Sequence, residues 1–406
     1  MAISAGVGIS SERDGYEAGK EACRLARERA GGGVPELTIA FASVSFDQNA
    51  VVRGIREVSG GTPLIGCTDA GEITNEGPTH DSVAVMAIVT DQMVFTPGVG
   101  RDIAVGARAA GAAFAREVKE KVAKGAGSVT GALSTAVILP DVLTGNGADI
   151  VRGVLDVLGE HFPLIGGAAG DDFLFQKTYQ YQDDEVLIGS VVGVGLSGKF
   201  TLGVGVRHGW IPIGVPMKVT KSVGSIVYEL DHRPAISIYE DYFGEKAVDL
   251  KKEPLARMAI TYPLGLKVPD IDEYLIRDPI TVDEQGAITC AAEIPEGSEV
   301  RLMIGSKENA IEAAEEAAKK MMQEFVASGK APKLLLMFNC IAREKLFAQH
   351  AKDEIDAVMR IVGGDVPLLG FYTYGEQAPI NGETHITEKI HSRFYNETIV
   401  MMAIGE

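Results

Sequence analysis

Apolar and polar positions along this chain follow two alternating periodicities. Short apolar runs typical of buried strands are followed by longer segments with apolar residues about 3.6 positions apart, which is typical of helices packed on a sheet. The clearest strands are predicted at residues 36–41, 135–139 and 333–338. Long, alanine-rich helices are predicted at residues 15–30, 105–123 and 308–328. Strands that alternate with helices favour a mixed sheet with helices on its faces.

One short motif occurs three times within this pattern. Each copy opens with Pro-Leu-aliphatic-Gly, continues into small or glycyl residues, and has an acidic residue six places after its first glycine. The copies begin at Pro63, Pro163 and Pro367, and their acidic residues are Glu72, Asp172 and Glu376. Because the flanking strands and helices agree as well, we interpret the motif as part of an internal repeat. Its predicted order of elements is β-α-β-α-β-β.

The repeats predict two domains. The first two repeats, at about residues 5–90 and 92–196, are so closely joined that we expect one domain, residues 1–198. Residues 199–298 predict hairpins, a short helix at 234–244 and strands near 258–262, 274–280 and 288–292. The second domain, residues 199–406, therefore holds a β-rich insertion followed by a third repeat at about 300–406. The predicted fold class is mixed α/β: three related β-α-β-α-β-β units with a β-rich insertion before the third.

Composition narrows the class of protein. With 406 residues, 46% of them hydrophobic, the chain can bury ordinary cores. A net charge of −18 argues against nucleic acid and anionic membranes as partners, since both require basic patches. Its four cysteines are widely spaced without a Cys-x-x-Cys pair, which favours reduced thiols. The N-terminus has no basic region ahead of an apolar one, so we expect a cytoplasmic protein.

Polar residues directly after apolar strands are the first candidates for a ligand site. Open α/β sheets bind ligands where their parallel strands end. Asp141, Asn339 and Arg343 have such positions, although each could instead cap the following helix. Asn146 lies in a glycine-rich turn that begins a helix, where exposed N–H groups suit a carboxylate or phosphate. The alternative for this turn is that its glycines only permit tight geometry.

The glycine loops supply the second set of candidates. Carboxylates at Asp171, Asp172 and Glu376, and with a weaker case at Glu72, could hold the ammonium group of an amino acid. The alternative is that each carboxylate accepts backbone N–H bonds within its own loop. Gly167 lies in the same motif, as do Tyr372 and Tyr374, which alternate along an extended stretch and could line a pocket. We expect one of these tyrosines to pack in the core.

The sequence gives enzyme chemistry little support. No histidine has a sequence position that suggests it activates Cys67 or Cys340. Unpaired cysteines usually behave as small apolar residues. His385 and His391 are too isolated to predict a metal site. We therefore predict no catalytic residue, no metal and no cofactor, with haem kept as an alternative.

The order of elements and several short motifs resemble the FIST family of sensory proteins, in which an N-terminal and a C-terminal FIST domain usually occur together. The resemblance rests on residues 163–171 in the N-terminal part, and on residues 370–376 and 394–398 in the C-terminal part. Tyr395 stands where relatives often have histidine, so any role for an imidazole there is lost.

The resemblance implies a non-enzymatic small-ligand sensor whose ligand is an amino acid or a related metabolite. It also implies a separate signalling partner, such as a kinase, a nucleotide cyclase or a chemoreceptor. Three alternatives remain at this point: an enzyme that uses loop carboxylates or Cys67, a haem-based gas sensor, and a scaffold without a small ligand.

Overall fold

The computed structural model describes residues 3–125, 131–245, 247, 257–268, 273–384 and 391–406. The helices within these ranges are α1 (Gly15–Arg29), α2 (Gln48–Ser59), α3 (Ala107–Lys124), α4 (Gly147–Leu158), α5 (Ser237–Phe243), α6 (Arg257–Thr261), α7 (Lys307–Ser328), α8 (Ile341–Phe347) and α9 (Ala351–Val362).

The strands up to the middle of the chain are β1 (Ser4–Ser10), β2 (Leu37–Ala42), β3 (Leu64–Thr68), β4 (Glu72–Thr74), β5 (Gly77–Thr79), β6 (Val83–Val89), β7 (Met93–Gly100), β8 (Leu133–Pro140), β9 (Leu164–Gly167), β10 (Gln180–Gln182), β11 (Glu185–Leu187), β12 (Val191–Gly198) and β13 (Thr201–Arg207). The later strands are β14 (Ile211–Val223), β15 (Ile226–Leu230), β16 (Arg233–Pro234), β17 (Leu264–Leu266), β18 (Leu275–Arg277), β19 (Pro279–Val282), β20 (Ile288–Cys290), β21 (Glu299–Ile304), β22 (Pro332–Cys340), β23 (Leu368–Thr373), β24 (Glu376–Pro379), β25 (Ser392–Tyr395) and β26 (Ile399–Gly405).

Three six-stranded sheets share one strand order. They run β1-β6-β2-β3-β10-β11, then β7-β12-β8-β9-β24-β25, and finally β13-β26-β22-β23-β4-β5. The third and fourth strands of each sheet are parallel, and the last two form a hairpin that comes from elsewhere in the chain. Each sheet thus receives a hairpin from one neighbour and gives one to the other. The mixed α/β class predicted from the sequence is confirmed, whereas the sequence repeat itself stays a prediction.

Glycines bring the long helices directly onto the sheets. A Cβ atom at Gly8 in β1 would lie 2.1 Å from the carbonyl oxygen of Ala22 in α1. Gly100 in β7 and Gly205 in β13 lie equally close to the backbones of α3 and α7. The alanine-rich helix faces and the strand glycines are therefore two sides of one close-packed contact, in which any larger side chain would separate the layers.

The third sheet differs from the sequence-based prediction at its first strand. We expected the third unit to open near residue 300, after the β-rich insertion. In the structure β13 takes that position, pairing with β26 from Thr201–Gly405 to Arg207–Ile399. β21 belongs instead to a fourth sheet of order β18-β17-β21-β14-β15-β20-β19. The β-rich segment therefore interrupts the third unit between its first strand and α7.

Two shorter segments also differ from the prediction. Residues 258–262 were expected to form a strand but belong to helix α6 and its end, an ambiguity common to short apolar runs. The apolar stretch at residues 186–196 is expected to form a single strand, but it forms two, β11 and β12, which belong to different sheets. Between them Gly189 has a φ of 58°, a conformation that suits glycine.

Candidate functional site

The three glycine loops meet in a closed ring of backbone hydrogen bonds. In each loop, the fourth residue after the first glycine donates its N–H to a carbonyl of another loop: Ala70 to Tyr372 (3.1 Å), Gly170 to Thr68 (3.0 Å) and Tyr374 to Ala168 (3.2 Å). Three bonds run in the opposite direction: Tyr372 to Gly71 (2.8 Å), Thr68 to Tyr179 (2.9 Å) and Ala168 to Gly375 (2.7 Å). The ends of all three parallel strand pairs therefore converge on one centre.

The acidic loop residues do not all take equivalent positions around this ring. In the strand register, Glu72 lies opposite Phe371 and Glu376 lies opposite Gly167. Phe371 and Gly167 each come directly after the first glycine of their own loop. The residue in that register in the remaining sheet is Gln180, opposite Cys67, and not Asp172. The loop before β10 is longer than the loops before β4 and β24. Counting six residues from the first glycine therefore selects Asp172 there, whereas the strand register selects Gln180.

Internal hydrogen bonds hold the two ring glutamates. Glu376 accepts bonds from Thr373 Oγ1 and from both Oγ1 and the backbone N–H of Thr398 (2.5 and 3.2 Å). Glu72 accepts bonds from Ser82 Oγ and Thr79 Oγ1. Burial raises the pKa of Glu72 to about 7 and that of Glu376 to about 8. These contacts favour the structural alternative that the sequence left open for both residues.

Asp171 organises the long loop before β10. Its carboxylate accepts the backbone N–H groups of Phe175 (2.8 Å), Gln176 (2.6 Å) and Lys177 (2.8 Å), and the hydroxyl of Tyr374 (2.5 Å). The Tyr374 ring stacks on Phe175 with centroids 4.6 Å apart. The sequence prediction that one tyrosine packs in the core fits Tyr372, which is buried in β23.

Asp172 is the loop carboxylate nearest to solvent. It is half-buried and accepts a hydrogen bond from Ser43 Oγ at 2.8 Å. Beside it lies Asp69, a fully buried acid that the sequence reasoning missed. Asp69 Oδ1 accepts the Gly71 N–H, whereas Oδ2 has no partner among the described residues. Burial, followed by the nearby Glu72 carboxylate, raises the pKa of Asp69 well above its usual value.

The other predicted residues also belong to internal networks. Asp141 accepts the N–H groups of Leu143 and Gly189 (2.9 and 3.1 Å), and Asn146 caps α4. Gly167 faces Thr373 so closely that a Cβ atom would lie 2.5 Å from its methyl group. Their contact with a ligand stays a prediction.

Arg343 forms a buried ion pair with Glu354. Its Nε donates to Glu354 Oε1 at 2.9 Å, and its Nη2 donates to the same oxygen and to the carbonyl of Ala310. Nη1 donates to carbonyls of His208 and Glu397, so all three nitrogens are engaged. Asn339 Nδ2 donates to the second oxygen of Glu354 at 2.8 Å. Both predicted residues are therefore parts of one buried cluster in which every nitrogen of Arg343 is engaged, whereas Asn339 Oδ1 has no partner among the described residues.

The cysteines are all buried and unpaired. Burial raises the pKa of Cys67 and of Cys340 well above the usual thiol value. A thiol kept neutral in this way is a poor nucleophile, since the thiolate is the reactive form. His385 lies outside the described residues.

A cavity of about 670 Å³ opens where α4 meets β17, β18 and β25. Its apolar wall is formed by Val151 and Leu155 of α4, Leu266 and Leu275 of the β-rich segment, and Phe394 of β25. This volume lies within the range of small-molecule sites in proteins. None of the ten residues predicted from the sequence lines this cavity.

Arg277 is the buried cation of this cavity. The side chain is 3% exposed, and its Nε and Nη1 donate to the backbone carbonyls of Glu293 (3.0 Å) and Ile276 (2.9 Å). Nη2 has no acceptor among the described residues, and no described carboxylate forms an ion pair with the guanidinium. Burial lowers the pKa of Arg277 to about 10, so the group is cationic at neutral pH.

Two of the three acids that line the cavity, Glu293 and Asp156, have arginine partners. Glu293 pairs with Arg152 at 2.5 Å, Asp156 pairs with Arg108 at 2.6 Å, and Glu160 lies 3.6 Å from His391. Arg393 is exposed at the rim and makes no ion pair with the described residues. Among the described residues, the buried part of the cavity therefore contains a cation, Arg277, without a carboxylate partner. A charged pair, Arg277 and Asp278, inside a predicted strand was the sequence signal that could have located it.

The fold and this cavity define a mixed α/β protein with a ligand-sized site between two parts of its chain. A FIST N domain matches residues 36–233 and a FIST C domain matches residues 235–379, and the chain belongs to the FIST family. α4 lies in the first matched range, and β17 and β18 lie in the second. Domains of this family are associated with small-ligand sensing in signal transduction.

Relatives with similar sequences are uncharacterised. A protein of Mycobacterium tuberculosis is 26% identical over 388 residues, covering 93% of this chain and 95% of its own length. A protein of Methanocaldococcus jannaschii is 30% identical over 240 residues, covering 56% of this chain and 44% of its own. Among solved structures, a cyanuric acid hydrolase from A. caulinodans aligns with a TM-score of 0.28 and 11% identity over 49% of this chain and 72% of its own, too remote to inform on function. Across the described residues, no helix combines the length and apolar character needed to cross a bilayer.

Proposed function

We propose that this protein is a sensor whose small ligand binds in the cavity between α4 and the β-rich segment. The ligand is an amino acid or a related metabolite. The observation that carries this proposal is the cavity itself, about 670 Å³ in volume and lined by both family domains. A ligand that contacts both walls stabilises the arrangement in which they are close, and so shifts the population of conformations.

The signal is read by a separate protein in the cytoplasm, such as a kinase, a cyclase or a chemoreceptor. Ligand-dependent contact between α4 and β18 changes the surface that such a partner meets. This part of the proposal rests on the family association with signal transduction.

The alternatives have weaker support in the geometry. An enzyme using Cys67 would need a thiolate, which burial opposes. A haem sensor would need a histidine facing a flat apolar cavity. The buried His208 instead points its Nε2 toward Glu273 at 3.6 Å, and the neighbouring space of about 330 Å³ is also lined by the charged residues Arg207, Glu312 and Glu316.

A thermal-shift screen tests the sensor proposal. The panel contains amino acids, their 2-oxo acids, other small carboxylates, nucleotides and haem, since a ligand specific to the folded state raises the apparent melting temperature. A compound that binds in the cavity loses its effect in Leu155→Trp, which fills the space. Leu25→Trp is the matched control, because Leu25 is also a partly buried helical leucine and lies on α1 away from the cavity. A shift that survives Leu155→Trp would place the ligand elsewhere, and haem as the binding compound would favour the gas sensor.

A further inference from the structure

We infer that the cavity selects a carboxylate attached to an apolar body, held through Nη2 of Arg277, and that a ligand ammonium group is not required. This inference rests on the proposed function and names the chemical class of its ligand. It concerns a residue outside every motif from which the sequence predicted a site.

The first argument is the state of Arg277. A buried charge is costly unless it is paired, and the common solution is a carboxylate at hydrogen-bond distance. Arg277 donates to backbone carbonyls through two nitrogens, and the third has no acceptor within the described ranges. By contrast, the comparably buried Arg343 has a carboxylate partner and no free nitrogen. The free Nη2 of Arg277, in a residue that lines the cavity, fits an anionic group supplied by a ligand.

The second argument concerns the opposite charge. A bound ammonium group would need a carboxylate with spare capacity in the cavity. Glu293 is engaged by two nitrogens of Arg152 (2.5 and 3.0 Å), and Asp156 by two nitrogens of Arg108 (2.6 and 2.8 Å). At either of these acids an ammonium group would have to break an existing ion pair, and the third acid, Glu160, is largely exposed at the edge beside His391. Among the described residues, the buried wall therefore offers a donor to an anion and no unpaired carboxylate to a cation.

The third argument is the apolar wall. Val151, Leu266, Leu275 and Phe394 are buried, and they line the same cavity as the guanidinium. Burial of apolar ligand surface contributes roughly 25 cal/mol per Å². A branched aliphatic chain ending in a carboxylate can pack on the apolar wall and accept a hydrogen bond from Arg277. A compact, highly polar anion can make only the hydrogen bond. Exposed Arg393 at the rim adds attraction for anions at a distance.

Three molecules with the same branched skeleton separate these requirements: 4-methyl-2-oxopentanoate, leucine and 3-methylbutylamine. They carry a carboxylate alone, both charged groups, and an ammonium group alone. We expect the oxo acid to raise the melting temperature and to bind at least as tightly as leucine in calorimetry. We expect no binding of the amine.

Variants then locate the anion. Arg277→Gln should weaken oxo acid binding at least tenfold, and Arg393→Gln should weaken it a few fold with a reduced salt dependence. Arg24→Gln, an exposed arginine on α1, is the matched control and should change nothing. If Arg277→Gln does not fold, the three-compound comparison on the unmodified protein and the Arg393→Gln result still decide the matter.

The outcomes separate this inference from the proposed function. Binding of the amine as tight as that of the oxo acid, or oxo acid binding that survives Arg277→Gln, would overturn the inference and leave the sensor intact. The same holds if some other panel compound without an anionic group binds and loses its effect in Leu155→Trp. No shift from any compound of the full panel would overturn the sensor proposal, and the inference with it.

Discussion

The hydroxyl of Tyr374 donates a 2.5 Å hydrogen bond to the carboxylate of Asp171, a residue 203 positions earlier in the chain. The same carboxylate accepts three successive backbone N–H groups of its own loop. In that loop Asp172, Phe173 and Phe175 all have positive φ values, between 52° and 66°. Non-glycine residues in this region are strained, so the loop conformation depends on what holds it.

Asp171→Ala should therefore release the loop without unfolding the protein. We expect hydrogen exchange at the amides of Phe175, Gln176 and Lys177 to accelerate by at least tenfold, since these groups lose their acceptor. Mass spectrometry of exchanged peptides measures this. Asp172→Ala removes the bonds to Ser43 and to the backbone of Val44, leaves the three amides their acceptor, and is the control. Equal exchange in both variants would contradict the role given to Asp171.

The ring of glycine loops predicts a sharp difference between two glycines. A Cβ atom at Gly170 would lie 2.9 Å from backbone atoms of Asp69 and Ala70, so Gly170→Ala forces two loops apart. We expect a loss of about 1–3 kcal/mol in the free energy of unfolding, the usual range for overpacking. At Gly61 no atom lies within 4 Å of the added methyl group, so Gly61→Ala should be neutral or slightly stabilising. Chemical denaturation compares them.

The ring position shared by Glu376 and Gln180 predicts a pH effect. Burial raises the pKa of Glu376 from 4.5 to about 8, so folding favours its protonated form. Its stabilising contribution is complete below pH 4.5 and is lost as pH rises toward 8. Glu376→Gln should flatten the decline in stability between pH 5 and 8, because an amide already occupies the equivalent position at Gln180.

The reverse substitution, Gln180→Glu, should make that decline steeper. Urea denaturation at a series of pH values, with each variant compared with the parent, measures both effects. Since the parent also contains Glu72, whose pKa is raised to about 7, only the differences between proteins are interpreted. Parallel pH profiles for all three proteins would show that this ring position is not titrating in the expected range.

The buried ion pair of Arg343 and Glu354 predicts that a single conservative substitution causes a large loss of stability. Both side chains are at most 1% exposed, so Glu354→Gln leaves an uncompensated buried cation. We expect a loss of about 3–5 kcal/mol in the free energy of unfolding. Glu28→Gln disrupts the exposed pair with Arg24 and should cause no measurable change in the denaturation midpoint. Similar midpoints for both variants would contradict the assignment.

Sequence periodicity was sufficient for the α/β class and for most of the long elements, because each helix and strand shows its own buried face. It was insufficient where two elements that pack together lie far apart in the sequence. β13 is a strand of the third sheet and α7 packs on that sheet, although about 100 residues separate the two elements. No local sequence pattern indicates that relation. Likewise, Gln180 rather than Asp172 faces Cys67, because strand register, not distance from a glycine, decides the position.

The site was harder to predict for a related reason. For polar residues after strands the sequence offers two alternatives, ligand contact or capping of the following helix. In the structure Asp141 and Arg343 are also engaged by donors or acceptors from remote segments, which neither alternative includes. Arg277 is the converse case. It lies within a strand, where a charged residue is an irregularity in the apolar pattern. Only the surrounding structure reveals that one of its nitrogens has no acceptor in the described part of the chain.

The exchange of hairpins among the three sheets has a consequence for how such a protein can be divided or inherited. A fragment ending at residue 198 would keep the hairpin β4–β5 but lose its place beside β23, and β9 would lose the hairpin that covers its edge. Unpaired edges of this kind recruit other chains into aggregates. A gene that encoded one half alone would therefore yield a chain with uncovered strand edges, which we expect to aggregate when expressed.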